Sequence, residues 1–204
     1  MMRLACLAPL AVLALAACDQ AQQPASAPPA ATTPAAPATP APAADPNILT
    51  AEGMGPVRIG MTTAEVTATW GADANPDAVG GAEPEICDEY HPANAPAGVR
   101  VMIEEGRLTR IAASRDATVK TERGFGVGDT ATAIKQAYGG AVIAQPHKYQ
   151  DAPAEDLFAW SRGGSTNYVQ DPNARGVRYE IGSDGTVMTV MAGGPSIQLV
   201  EGCS

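Results

Sequence analysis

The chain has 204 residues, with 13 basic against 22 acidic side chains, a formal charge of −9 and a pI near 4.6. So acidic a chain, with only 4% aromatic residues, lacks the basic face needed to neutralise phosphates, which argues against nucleic acid as a partner. Gly and Pro together number 39, so loops are expected to be plentiful, and the acidic surplus reads as a solvated surface that keeps a secreted protein soluble.

Residues 1–17 read as a targeting segment. Arg3 supplies the positive start and Leu4 to Leu15 a short apolar run, too short to span a bilayer as a mature helix. The run ends Leu15-Ala16-Ala17-Cys18, with small residues before a cysteine. This resembles the bacterial lipobox, which implies that Cys18 is lipidated and becomes the first residue of the mature protein. An ordinary secretory signal cut near Ala17, leaving Cys18 as a free thiol, is the alternative. Several acyl chains give the stable anchoring that one does not. The next residue, Asp19, resembles the inner-membrane retention signal of enterobacterial lipoproteins, a rule that varies between bacteria. The expected location is therefore the cell envelope, facing the periplasm and anchored in the inner or outer membrane.

Residues 18–46 carry the lipid site and a Pro/Ala-rich tether. Asp19 to Ala44 is Gln, Ala, Thr and Pro without an apolar period, and cannot bury enough surface to offset the entropy of ordering. Its prolines favour an extended coil at about 3.1 Å per residue, a reach of roughly 80 Å at most. A spacer fits better than a proline-rich docking ligand, because the segment has neither an aromatic nor an adjacent basic residue.

Beyond the tether one stretch occurs twice. At an offset of 68 residues, Ile59 matches Val127, Gly60 matches Gly128, Thr62 matches Thr130, Val66 matches Ile134, Trp70 matches Tyr138 and Gly71 matches Gly139. Each copy predicts a helix with a threonine N-cap, Glu65 completing a capping box in the first, and a glycine suited to a left-handed C-cap. Val66 with Trp70, and Ile134 with Tyr138, share a helical face and are expected in the core. Three strands follow each helix: Ile86–Tyr90, Val99–Ile103 and Arg107–Ala113, then Asp156–Trp160, Val177–Ile181 and Thr186–Met191. Leu108 and Ile111 break strict alternation, which suggests a bulge. The second copy's extra length falls in the loop 140–155, with Pro146-His147-Lys148-Tyr149, and Ile197 to Val200 suggests a last strand. The expected fold class is α+β, with two similar units at residues 47–121 and 122–204. Each would be a helix packed on an antiparallel three- to four-stranded meander.

Ile59-Gly60-Met61-Thr62, Glu65-Val66, Gly71 and Gly106-Arg107-Leu108 resemble the corresponding motifs of the BamE/SmpA outer-membrane-assembly lipoproteins and the tandem fold of the β-lactamase-inhibitor proteins. The resemblance covers about the last 155 residues as architecture. It implies a fold more than a role, with a secreted-enzyme inhibitor as one functional alternative and no inhibitory residue carried over.

Cys6 leaves with the leader and Cys18 is the lipid site, so Cys87 and Cys203 remain as an even pair in an oxidising compartment and are expected to be bridged. Cys87 and His91, four apart in a strand, could share a face as a nucleophile pair, but no signature or orienting partner accompanies them. The His147 loop could line a recognition surface or pack on the second sheet. Two isolated histidines and one cysteine pair do not make a zinc site, and no phosphate loop, nucleophile elbow or dinucleotide fingerprint occurs. The paired carboxylates Glu104-Glu105 and Glu155-Asp156 are adjacent and read as solvated turns. No metal or cofactor is expected. The composite expectation is a lipid-anchored, non-catalytic protein-binding or scaffold module whose partner is another envelope or secreted protein. An enzyme centred on Cys87/His91 or the His147 loop is the alternative.

Overall fold

The computed structural model describes residue 45 and residues 47–78 and 80–203. The leader, Cys18 and the tether up to Ala44 lie outside the described residues. In chain order the elements are β1 (Ile48–Thr50), β2 (Gly53–Met54), β3 (Val57–Arg58), α1 (Thr63–Trp70), β4 (Cys87–Tyr90), β5 (Val99–Glu104), β6 (Arg107–Ser114) and β7 (Lys120–Thr121). Then come α2 (Ala131–Tyr138), β8 (Ile143–Pro146), β9 (Glu155–Arg162), β10 (Arg175–Ile181), β11 (Val187–Gly193) and a 3₁₀ turn at Pro195–Gln198.

The fold is mostly β, which corrects the expected pair of α+β units. Seven strands form one antiparallel sheet in the order β4-β5-β6-β11-β10-β9-β8, and four very short strands form a second, β3-β2-β1-β7. The expected meanders are not separate, because their last strands pair edge to edge. β6 and β11 run antiparallel from Ser114 opposite Thr189 to Arg110 opposite Gly193. An edge strand leaves a row of amides and carbonyls unpaired, and joining the two edges removes that liability from both. The helices are also too small to define layers: each has eight residues, about 12 Å at 1.5 Å per residue.

Locally the duplication is nonetheless visible. Gly60 N–H donates to Leu108 O (2.7 Å), Leu108 N–H to Met61 O (2.8 Å) and Thr63 N–H to Gly106 O (3.1 Å). The second copy repeats this, with Gly128 to Val187 O (2.9 Å), Val187 to Asp129 O (2.9 Å) and Ala131 to Gly185 O (3.0 Å). Gly60 and Gly128 sit at φ of 93° and 86°, a region costly for any residue with a Cβ. Thr62 and Thr130 cap their helices, and Glu65 completes the capping box. Gly139 takes the left-handed C-cap, but Gly71 does not: at φ 83°, ψ 170° it turns the chain out extended.

One face of the large sheet carries Val101, Ile111, Val190, Val177, Tyr179 and Leu157, packed with Val66, Trp70 and Ile134 of the helices and Leu49 and Val57 of the small sheet in the main core. The Tyr179 hydroxyl lies 3.0 Å from that of Tyr138 and donates to Thr121 Oγ1 (3.0 Å), so a buried phenol joins α2 to β7. Thr109 is the extra residue of a bulge, since Met102 faces Arg110 and Ile103 faces Leu108. Two further expectations fail. The 140–155 segment holds strand β8 on the sheet's other edge, and Ile197 belongs to the 3₁₀ turn rather than to a strand.

Candidate functional site: a clamped carboxyl-terminal strap and an open cleft

The sheet's other face presents an unusual series for a β-surface: Cys87 and Glu89 on β4, Arg100 and Met102 on β5, Arg110 and Ala112 on β6, Met191 on β11, Arg178 and Glu180 on β10, and Asp156 and Phe158 on β9. These residues stand opposite one another in the registers and so share a face. A strap, residues 194–203, lies across it. Ile197 is fully buried in a small cluster with Ala112, Phe158 and Met191.

The strap brings backbone carbonyls with no ladder partner onto an apolar surface, and buried carbonyls need donors. Two buried arginines supply them. Arg110 Nη1 donates to Ser196 O and Leu199 O, both at 3.0 Å. Arg178 Nη1 donates to Ile197 O (3.2 Å) and Leu199 O (3.4 Å). Each guanidinium is balanced by a carboxylate. Arg110 Nη2 pairs with Glu89, and Arg178 grips Asp156 Oδ1 through Nε (2.9 Å) and Nη2 (2.8 Å). Burial pulls the Arg110 guanidinium below its ordinary value while Glu89 pulls it back up. Burial likewise pushes the Asp156 carboxyl up against the attraction of Arg178. Asp156 is therefore not part of the solvated turn expected at Glu155-Asp156, being only 5% exposed. The charged pair was missed because an Arg or Asp at an alternate strand position ordinarily marks the wet face.

The expected bridge is present: Cys87 and Cys203 are disulfide-bonded, with Cα atoms 5.3 Å apart, so the strap's end is fastened to edge strand β4. Its sulfur is thus not a thiolate, and His91 instead contacts the Val99 carbonyl through Nδ1 (2.7 Å). A carbonyl only accepts, so Nδ1 carries the proton there. His147 is buried. Its Nδ1 accepts from Tyr149 N–H (3.1 Å), which leaves the Nε2–H to donate to Glu180 Oε1 (3.2 Å). Both histidines of the enzyme alternative are thus engaged in positioning loops. Tyr149 stands 59% exposed beside them, with Lys148 Nζ 5.2 Å from its ring centre and 3.5 Å from Glu201 of the strap. Among the described residues no group of three or more His, Cys, Asp or Glu side chains is placed to hold a metal ion, and no helix is long and apolar enough to cross a membrane.

Between the β5–β6 hairpin turn, the start of the strap and the segment 170–175 lies a cleft of about 610 Å³. Its apolar lining is Ile59, Ile86, Leu108, Pro172 and Pro195, with Glu104, Glu105, Arg107 and Arg175 around them. Ile86, on its wall, is 55% exposed. The cations are held in place. Arg107 Nη1 donates to Gly60 O (2.9 Å), Arg175 Nη1 donates to Pro172 O (2.8 Å) and Ala174 O (2.7 Å), and Ser196 Oγ donates to Glu104. Apolar side chains ringed by fixed charges suit a partner's side chain inserted among polar contacts. No protein-family model matches the chain, and no curated protein and no solved structure matches it either.

Proposed function

We propose that this chain is a lipid-anchored cell-envelope protein whose folded part is a non-catalytic module that binds another envelope or secreted protein. The observation that carries the reading is the cleft: a concave surface about 610 Å³ in volume, lined by apolar side chains interleaved with charged ones, with the exposed Ile86 on its wall. The lipobox-like run ending in Cys18 supports the anchor, and the Pro/Ala-rich tether supports a module held off the bilayer. The engagement of Cys87 in the disulfide and of His147 in loop contacts favours binding over catalysis at either of those places.

A photo-crosslinking amino acid at position 86, compared with one at exposed Gln136 on α2, tests the partner. One dominant protein adduct from position 86, abolished by blocking the cleft through Gln170→Trp at an exposed lining position or weakened by Arg107→Ala, is expected. Equal, diffuse adducts from both positions would remove the cleft as the docking site. Cys18→Ser tests the anchor separately: the protein should leave the membrane fraction.

A further inference from the structure

Nine arginines lie among the described residues, and seven donate side-chain hydrogen bonds to carbonyls or carboxylates. The two that do not, Arg100 and Arg115, line the same pocket of about 230 Å³ together with His91, Gly98, Ser114 and Asp116. From this convergence we infer that the pocket binds a small oxyanion, a phosphate or carboxylate group, where β5 begins and β6 ends.

The donors are unspent. Arg100 has one carboxylate in ion-pair range, Glu89, 3.7 Å from its Nε, and Glu89's other oxygen is taken by Arg110. The Nε itself is buried without a hydrogen bond, so the terminal nitrogens are what this guanidinium can offer. Arg115 and the Ser114 hydroxyl make no side-chain hydrogen bond, whereas His91, whose proton sits on Nδ1 toward the Val99 carbonyl, is not counted among the donors. Asp116 also lines the pocket but pairs with neither arginine, so the cations outnumber the one carboxylate there. A pocket of this volume holds several waters at about 30 Å³ each, room for a tetrahedral or planar oxyanion with part of its carrier. Guanidinium forks match both shapes.

The backbone is held to this shape. Arg115 has φ of 56°, a conformation that non-glycine residues adopt at a cost and that places its side chain at the pocket. Gly98, at φ 74°, brings its Cα so near the end of β6 that a Cβ would come within 2.4 Å of Ser114 O. The pocket is separate from the cleft, and the inference stands or falls independently of the protein-binding reading.

The test is a titration of isotopically labelled full-length protein with inorganic phosphate and, separately, acetate, at constant ionic strength set with chloride. The amide resonances of Gly98, Ser114, Arg115 and Asp116 are followed. Saturable shifts are expected with at least one probe. Phosphate alone would assign a phosphoryl ligand, acetate alone a carboxylate, and both a general oxyanion. Arg115→Gly removes the cation while relieving the left-handed backbone, so the fold is retained and checked by its melting curve. It should weaken binding roughly tenfold, as should Arg100→Gln, while Arg123→Gln leaves it unchanged. Linear shifts matching those from chloride, or saturable shifts indifferent to Arg115→Gly, would overturn the assignment.

Discussion

Replacing Arg178 by Met tests whether the strap is clamped as the geometry implies. Methionine fills much of the same volume and keeps the packing over Phe158, but removes every donor that Asp156 and the Ile197 carbonyl receive from this side chain. Leu199 O retains Arg110. Asp156 would then face Glu180 across the β9–β10 register with the attraction of Arg178 gone. Breaking a buried pair from one side costs about 3–5 kcal/mol, because the other charge stays buried. At about 2–4 °C per kcal/mol for a domain of this size, the melting temperature should fall by roughly 10 °C. The loss has a pH signature. With Arg178 gone, burial and Glu180 drive the Asp156 carboxyl further above the ordinary aspartate value. A carboxyl raised in the folded state holds its proton more tightly when folded than unfolded. The deficit relative to wild type should therefore be smallest below pH 3.8 and grow as pH rises through the folded value. Arg178→Met/Asp156→Leu should recover most of the loss and its pH dependence, leaving about 1–2 kcal/mol for the unpaired Ile197 carbonyl. Urea unfolding of the four members of this cycle at pH 4 and pH 7 measures all of it. A single-variant loss under about 1 kcal/mol, or one independent of pH, would refute the clamp.

The disulfide closes a loop of 116 residues, so Cys87→Ala/Cys203→Ala should lower stability by up to about 4–5 kcal/mol in the chain-entropy account. The strap should nevertheless stay docked, shown by continued exchange protection of the Ile197 and Leu199 amides, which bond Gly194 O and Ser196 O. Glu105 and Gly106 form a two-residue hairpin loop with φ of 49° and 74°. Glu105→Asn should therefore raise the melting temperature by a few degrees, about 0.5–1 kcal/mol, because asparagine tolerates the left-handed region better. Glu65 is depressed by the Thr62 backbone and hydroxyl, and Asp184 by the Thr186 backbone and hydroxyl; at Asp129 burial opposes, but Lys120 and the Gly126 N–H win. A carboxyl depressed on folding stabilises above its unfolded value and loses that contribution as pH falls through the folded one. Thermal melts from pH 7 to pH 3 should show declining stability, with Glu65→Gln and Asp129→Asn each flattening the lower limb.

What could be read from the residues was what local chemistry dictates. A glycine at positive φ, a threonine cap three residues before an amide in need of an acceptor, and a glycine in a hairpin turn each impose their conformation within a few residues. That is why the repeat at Gly60–Gly71 and Gly128–Gly139 holds in the hydrogen bonds that tie each helix to its own hairpin. The Cys87–Cys203 bridge was legible for another reason, elimination among four cysteines. The union of β6 with β11 was not legible, because no residue within either strand specifies a partner about 80 positions away. Strands of two or three residues, such as β2, β3 and β7, are likewise too short to show alternation.

Arg110, Arg178 and Asp156 stayed hidden for a deeper reason. Hydropathy assigns each side chain a face by its own preference, whereas burial of a charge is decided by what arrives to satisfy it. Here the satisfying groups are main-chain carbonyls of the strap, which look the same in any sequence. The strap can cover a charged sheet only because the arginines answer its carbonyls, and the arginines can be buried only because the strap and two carboxylates answer them. Beyond the covered face lie the cleft at one end of the strap and the Arg100–Arg115 pocket. Arg110 and Arg178 thus belong to the interior as much as the side chains of the main core do, because each completes a set of partners that neither the strap nor the sheet could supply alone.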